Sequence, residues 1–401
     1  MVIFFYFDTD VETVHQEIDF AYEHQFSKVG DTVTLDNIYF STPSDFHNHL
    51  AEINKLYPGN ARVVFPEIVQ PHMPEHIGFQ RLESVVEKYR GKDTFKLAIL
   101  NAMSNAIGDH LIGMQAFDYF YDKLQALLPE TRLEISFYQI NPYRLGSITK
   151  QWQDKYSHIY MLPNKASQLA SNDAFIDLGS LILRESFDTQ PMIDFFLEAL
   201  SIDPQEVPPE RKRMKFQAQK QEQIELAFNN IRLQGRPVLL FHHTSTSGVR
   251  QMTEPRARKF LTDILEHSDY FVVSADHLDF SHKRFRNLNY LSRSSVDNFA
   301  SVVSHVDAVI SVDTVTYHLA DAFDIPTVVL FTTIEPDRRI KYYPRTAAIM
   351  LEDKNGRLYG KHKDSANPDK AKLDIEYLDD KWSQLEVQQV LQLLEKQTKL
   401  R

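Results

Sequence analysis

The 401-residue chain is 25% charged and 43% apolar, the balance of a globular protein too long for one ordinary core. Its net charge of −11 argues against a nucleic-acid partner, so any phosphate-bearing ligand must meet a local positive field. There is no cysteine, which excludes disulfides, thiolate nucleophiles and cysteine-held metals and fits a reducing cytoplasm; no apolar run reaches the roughly 18–20 residues of a membrane span.

Residues 1–94 alternate strand and helix. Strands are predicted at Val2–Phe7, Asp31–Tyr39 and Ala61–Ile68, and helices at Val11–His24, Asp45–Leu56 and Phe79–Tyr89. The apolar start lacks a basic flank and turns acidic after seven residues, so it reads as a first strand rather than a signal peptide. This N-terminal module offers no recognisable chemistry, and its aromatics (Phe4, Phe5, Tyr6, Phe7, Phe20, Tyr22) are expected to be core.

A doubly wound α/β unit is predicted over 95–203. Its strands are Phe95–Ala102, Arg132–Tyr138, Tyr156–Met161 and Ala174–Leu178; its helices run from Leu111 to about Leu127 and over Met192–Leu200. Pro204, Pro208 and Pro209 then mark a linker within 204–235, followed by a predicted basic helix carrying Arg211, Lys212, Arg213, Lys215 and Lys220. That helix reads either as a solvated face or as a contact for an anionic membrane surface or a phosphorylated acceptor.

A second α/β unit is predicted over 236–380, closed by a C-terminal helix in 381–401. Strands fall at Pro237–Phe241, Tyr270–Ser274, Val306–Val312 and Thr327–Phe331, with helices at Glu254–Leu265, Ser295–Ser304 and the ten residues after Thr314. Asp353–Asp379 reads as loop, and Trp382–Lys399 as an amphipathic helix.

Three loops stand at carboxyl ends of predicted strands, where open α/β sheets bind ligands. In the first, Gly108 permits an unusual backbone and Asp109 stands at a helix start, either as N-cap or as a general base taking a proton from an acceptor hydroxyl. The second, His242–Arg250, offers Thr244, Ser245, Ser247 and Gly248 to wrap an anion and Arg250 to pair with phosphate, without the spacing of a Walker loop. His242 and His243 point to opposite faces and are not expected to chelate. In the third, Thr314 is a candidate helix cap beside a diphosphate, Asp313 a candidate acceptor of sugar hydroxyls, and His318 either core or ligand.

These segments resemble family 9 glycosyltransferases, whose best-known members are ADP-heptose transferases. Leu97–Asp109 resembles the family's first strand and Gly-Asp turn, Val238–Arg250 its donor-phosphate loop, and Asp307–Phe331 its most characteristic segment, through Asp313, Thr314, His318, Leu319, Ala320, Pro326 and Thr327. The resemblance covers about 95–400. It implies a GT-B fold, two Rossmann-like doubly wound domains facing a cleft, plus the small N-terminal module: an acceptor domain over 95–203 and a nucleotide-sugar donor domain over 236–380. It implies a cytoplasmic bacterial enzyme; the alternative reading of the basic stretch would add peripheral contact with the inner face of the membrane through Arg211, Lys212, Arg213 and Lys215. Such an enzyme would move a heptose or hexose from a nucleotide-diphosphate donor to a hydroxyl of a glycan, lipid-linked saccharide or protein. Asp109 would be the base, Arg250 and the Thr314 turn would hold the diphosphate with Val315 beside it, and Gly108, His318 and Glu335 would support them.

No Asp-x-Asp motif lies in a suitable loop, so no metal and no cofactor is expected. An N-terminal extension is also similar to that of autotransporter heptosyltransferases, whose iron-binding cysteines this chain lacks. Val315 replaces the family's glycine, Met252-Thr253 its Trp-Pro, and Ala275-Asp276 its Gly-Gly. Two other readings stay open on the residues alone: a nucleotide-sugar epimerase of the same architecture, and a degenerate transferase acting as a binding or assembly partner.

Overall fold

The computed structural model describes residues 2–7, 35–41, 61–64, 69–103, 106–139, 142–179, 184–351, 353, 355–361, 365 and 367–400. The helices read at Val11–His24 and Asp45–Leu56 lie outside them, as do Phe20 and Tyr22. The chain divides into two compact units, Met1–Arg211 and Lys212–Arg401.

The first unit holds strands β1 (Ile3–Phe7), β2 (Ile38–Ser41), β3 (Ala61–Val64), β4 (Glu75–His76), β5 (Thr94–Leu100), β6 (Arg132–Gln139), β7 (His158–Met161), β8 (Asn164–Lys165) and β9 (Ala174–Asp177). Among the described residues they form an antiparallel sheet, β3-β1-β2-β8, and a parallel one, β4-β9-β5-β6-β7. After the short edge strand β4, the parallel sheet runs from its central strand β5 to β6 and β7, then crosses back to β9, as a Rossmann-like half does.

The expected boundary at residue 94 does not hold. Strand β4 and the Leu82–Val86 helix precede it yet belong to the parallel-sheet unit, and β8 from within 95–203 completes the antiparallel sheet. One apolar cluster joins Phe4, Ile38 and Phe40 to Ala98, Leu100, Tyr138 and Leu169. The extension could not bury its aromatic face alone, and the neighbouring half supplies the other side of that core. Phe4 and Phe5 are core residues, as expected.

The second unit contains β10 (Val238–His242), β11 (Phe271–Ser274), β12 (Phe285–Asn287), β13 (Ala308–Val312), β14 (Thr327–Phe331) and β15 (Thr346–Met350), all parallel in the order β12-β11-β10-β13-β14-β15. Counted from β10, that is 3-2-1-4-5-6, the doubly wound order whose ligand crevice opens between its strands 1 and 4. Strands β10, β13 and β14 are buried throughout, which is why they read as unbroken apolar runs. Leu239, Phe241, Ile310, Val312, Val328 and Leu330 meet Phe260, Ile264, Val390 and Leu394 from the Glu254–His267 and Val387–Lys399 helices in one core cluster.

Two local expectations change. The basic stretch is not a helix: Pro209–Lys212 makes one 3-10 turn, residues 213–221 carry no regular structure, and the helix that follows, Glu222–Arg232, carries two acidic residues, Glu222 and Glu225, in its first turn. Positive charges without an apolar stripe give a helix nothing to pack. The span read as loop at Asp353–Asp379 holds most of a helix, Pro368–Trp382, capped by the Asn367 side chain on the N–H groups of Asp369 and Lys370.

Candidate functional site

In the second unit, the loops leaving β10 and β13 meet at the strand-order reversal. The β10 loop closes on itself through Met252 N–H to His243 O (3.0 Å), and Gly248–Arg250 forms a 3-10 turn. Two anchors hold it: the Thr332 hydroxyl donates to Val249 O (2.8 Å), and the Trp382 indole to Gln251 O (3.0 Å). Ser245 Oγ donates to Asp313 O across the two loops (3.0 Å).

The Asp313 carboxylate is buried. Its Oδ1 accepts from Tyr317 (2.9 Å) and its Oδ2 faces Arg250 Nη1 at 3.4 Å. Both oxygens are thus engaged, so the expected role of Asp313 as an open acceptor of sugar hydroxyls is modified: a ligand must share it with Arg250 and Tyr317. Arg250 also donates to Thr246 (3.0 Å), while its Nε is buried without a partner. A buried guanidinium N–H left unpaired is costly, and a bound oxyanion would satisfy it.

The helix after β13 runs Thr316–Ala322, with Val315 in the cap position and no side-chain cap. Thr314 is therefore not the cap; it is a half-buried turn residue. At φ −55° and ψ −21°, Val315 sits in ordinary right-handed helical space, so the turn places no demand for glycine there. What Val315 adds is bulk, not strain. His318 is a core residue, with Nδ1 2.6 Å from the Tyr343 hydroxyl, and burial holds its pKa down at about 3. Glu335 is exposed, on the loop leaving β14.

A residue the sequence reading gave no role, Asp276, anchors the crevice from β11. Its Oδ2 accepts from His242 Nε2 (2.7 Å) and from Thr244, and its Oδ1 is gripped by Arg293 Nε (3.1 Å) and Nη2 (2.9 Å). Burial alone would raise this carboxyl, but His242, Thr244 and Arg293 hold it well below the usual carboxylate range. His242 reaches Thr316 through its other nitrogen, so one network ties β10, β11 and the helix after β13. His243 stacks on Phe241 on the opposite face, its pKa lowered by burial to about 4. The two histidines do point apart. An acidic residue ending strand 2 of a 3-2-1-4-5-6 sheet was the available signal.

In the first unit, the turn after β5 holds Asn101 and Met103 at positive φ, and the Ile107–Leu127 helix starts four residues earlier than expected. Ala106 is the N-cap and has no side-chain cap bond, so Asp109 is not a cap; it lies half-buried in the first helical turn with Gly108 beside it. There the helix dipole favours a negative charge. Ser104 and Asn105 lie outside the described residues.

The four cations expected to face a membrane are mostly committed elsewhere. Arg211 pairs with Asp118 (3.5 Å) and Asp122 (2.6 Å) in the first unit. Lys212 is buried against Tyr342, Arg213 binds Asp321 (3.2 Å) and Asp324 (2.8 Å), and Lys215 also has an interaction partner. Among the described residues, no helix is long and apolar enough to cross a membrane.

With this geometry in place, comparison with known proteins shows what the chain is similar to. Residues 184–369 match the model of glycosyltransferase family 9 (heptosyltransferase). Among solved structures, the chain is similar to E. coli ADP-heptose LPS heptosyltransferase II, at 15% identity and a TM-score of 0.50, over 76% of this chain and 98% of that one. A family 9 glycosyltransferase from Veillonella parvula DSM 2008 aligns at 13% identity and a TM-score of 0.47, covering 76% and 97%. E. coli heptosyltransferase WaaC with ADP aligns at 14% and 0.47, covering 76% and 100%. No curated protein matches the sequence. The first structural likeness is one of fold, GT-B with two Rossmann-like units.

Proposed function

We propose that the chain transfers a sugar, heptose or hexose, from a nucleotide-diphosphate donor to a hydroxyl of a glycan, lipid-linked saccharide or protein. The observation that carries this reading is the Arg250–Asp313 pair at the strand-order reversal of a family 9 segment, with a buried, unsatisfied Arg250 N–H beside it.

In this reading Thr244, Ser245, Ser247, Gly248 and Arg250 bind the donor phosphates with the Asp313–Val315 turn, and Asp276 holds Thr244 and His242 in place behind them. Asp109 takes the proton of the acceptor hydroxyl as its oxygen attacks the anomeric carbon. The bond from that carbon to the phosphate oxygen breaks, and the nucleoside diphosphate leaves with the electron pair, its charge stabilised by Arg250. The proposed chemistry asks for no metal ion, since the guanidinium takes the place of a divalent cation.

Asp109→Asn tests the base. Turnover is expected to fall by about 10²–10⁴-fold with nucleotide affinity unchanged. Normal turnover in that variant would remove Asp109 from the role.

A further inference from the structure

The donor site as described has one cation and one carboxylate, Arg250 and Asp313, which nearly cancel. A diphosphate leaving group needs more positive charge than that. His318 does not provide it, because burial keeps its imidazole neutral.

The Asp337–Ile340 helix, on the loop that leaves β14, carries two arginines, Arg338 and Arg339. Strand β14 is the neighbour of β13 on the side away from β10, so this helix and the Arg250 loop flank the Asp313–Val315 turn. At about 4.8 Å per strand, the two flanks lie roughly 10 Å apart. Arg339 is half-buried, and its guanidinium acts on Tyr317, His318 and Tyr343. Tyr317 is the donor to Asp313 Oδ1, while Arg250 faces Oδ2, so Arg339 lies beside the tyrosine that holds one oxygen of this carboxylate and Arg250 beside the other oxygen.

Arg339 is otherwise poorly satisfied. Its one hydrogen bond is a long one, Nη1 to Arg338 O at 3.3 Å, and among the described residues no carboxylate pairs with it. Arg338 likewise lacks an ion pair there and turns to the Tyr359 hydroxyl (3.2 Å). Thr333, on the same loop, has a buried hydroxyl without a partner. Cations are not left half-buried and unpaired without cost, and an anion is the partner that removes it.

We infer that Arg339 is the second cation of the donor site, and that Arg250 and Arg339 clamp the two phosphates of a nucleoside diphosphate from either side of the Asp313–Val315 turn. The inference rests on the donor reading above. It gives the site its preference for diphosphates over monophosphates.

The test is calorimetric titration of the full chain with ADP, UDP, GDP, CDP and dTDP and with the matching monophosphates. Wild type is expected to bind at least one diphosphate more tightly than its monophosphate. Arg339→Ala should weaken that diphosphate by more than tenfold and leave the monophosphate within about twofold, while Arg339→Lys recovers part of the loss. Arg250→Ala should weaken the same diphosphate. Circular dichroism on each variant separates these effects from unfolding, and Arg339→Gln replaces the alanine variant if that one does not fold. Loss with Arg250→Ala but not with Arg339→Ala or Arg339→Gln would overturn the clamp and leave the donor site standing. Equal weakening of mono- and diphosphate by the Arg339 variants would also overturn it. No binding of any nucleotide by wild type would overturn the donor reading and the clamp with it.

Discussion

Val315 shows how a residue can depart from a family pattern without breaking the backbone. Its dihedrals are those of any helical residue, so the glycine usual at this place is not a conformational need here. The branched side chain adds bulk beside the turn instead, and under the proposed function it would bear on which donor sugar fits. His318 illustrates the opposite case, a motif residue that is structural. In the folded chain it stays neutral down to about pH 3, whereas in the unfolded chain it protonates near 6.5. The unfolded state therefore binds more protons below 6.5, and stability falls as pH drops towards 3, by about 1 kcal/mol per unit for this one group. Urea midpoints measured from pH 7 to 4 should decline less steeply in His318→Gln than in wild type. Equal slopes would show that His318 titrates normally in the folded state.

The short helix Thr316–Ala322 is the element on which the second unit's contacts converge. From it, Tyr317 holds Asp313, His318 holds Tyr343, and Asp321 accepts from Arg213 and from Met214 N–H (2.8 Å). Burial keeps the Asp321 carboxyl up at about 6 against the pull of those donors. The linker just after Arg211 is thus fastened to the helix that starts at the Asp313–Val315 turn. These partners are 107 and 108 residues apart in sequence, which is why the basic stretch read as an isolated charged helix. In the first unit, the element that matters is the turn after β5. A Cβ on Gly113 would lie 2.7 Å from Met103 Cβ and 3.2 Å from its Cα, so the helix needs glycine where it passes this turn. Gly113→Ala is expected to destabilise by about 1–3 kcal/mol, although alanine ordinarily favours a helix. Gly146→Ala, in open space, is the control and should be neutral or stabilising. Thermal denaturation of the pair checks this, and equal melting temperatures would refute the close approach.

At the scale of the molecule, the α/β character and the inner strands were legible because parallel strands buried on both faces show as apolar runs, as in Val238–His242 and Thr327–Phe331. Strands β12 and β15 were not read: Phe285–Asn287 is three residues with an arginine at its centre, and Thr346–Met350 is a half-buried edge whose two alanines carry little strand signal. The domain boundary at 94 failed because pairing between β2 and β8 and between β4 and β9 joins segments that local periodicity treats separately. At the candidate site, the Arg250 and Asp313 loops were visible as small polar residues ending apolar strands. Asp276 and Arg339 were not singled out, since their importance comes from what other strands bring beside them. The central claim is that the second unit holds a nucleotide-diphosphate sugar at the reversal between β10 and β13. Its most direct test is thermal denaturation of the full chain against a panel of nucleotide sugars and nucleoside diphosphates, in wild type and Arg250→Ala. The account predicts that at least one raises the wild-type melting temperature in proportion to the logarithm of its concentration, worth about 2.7 kcal/mol at a hundredfold excess over Kd, with a smaller rise in the variant. A panel that leaves the wild-type transition unmoved at millimolar concentration would contradict it.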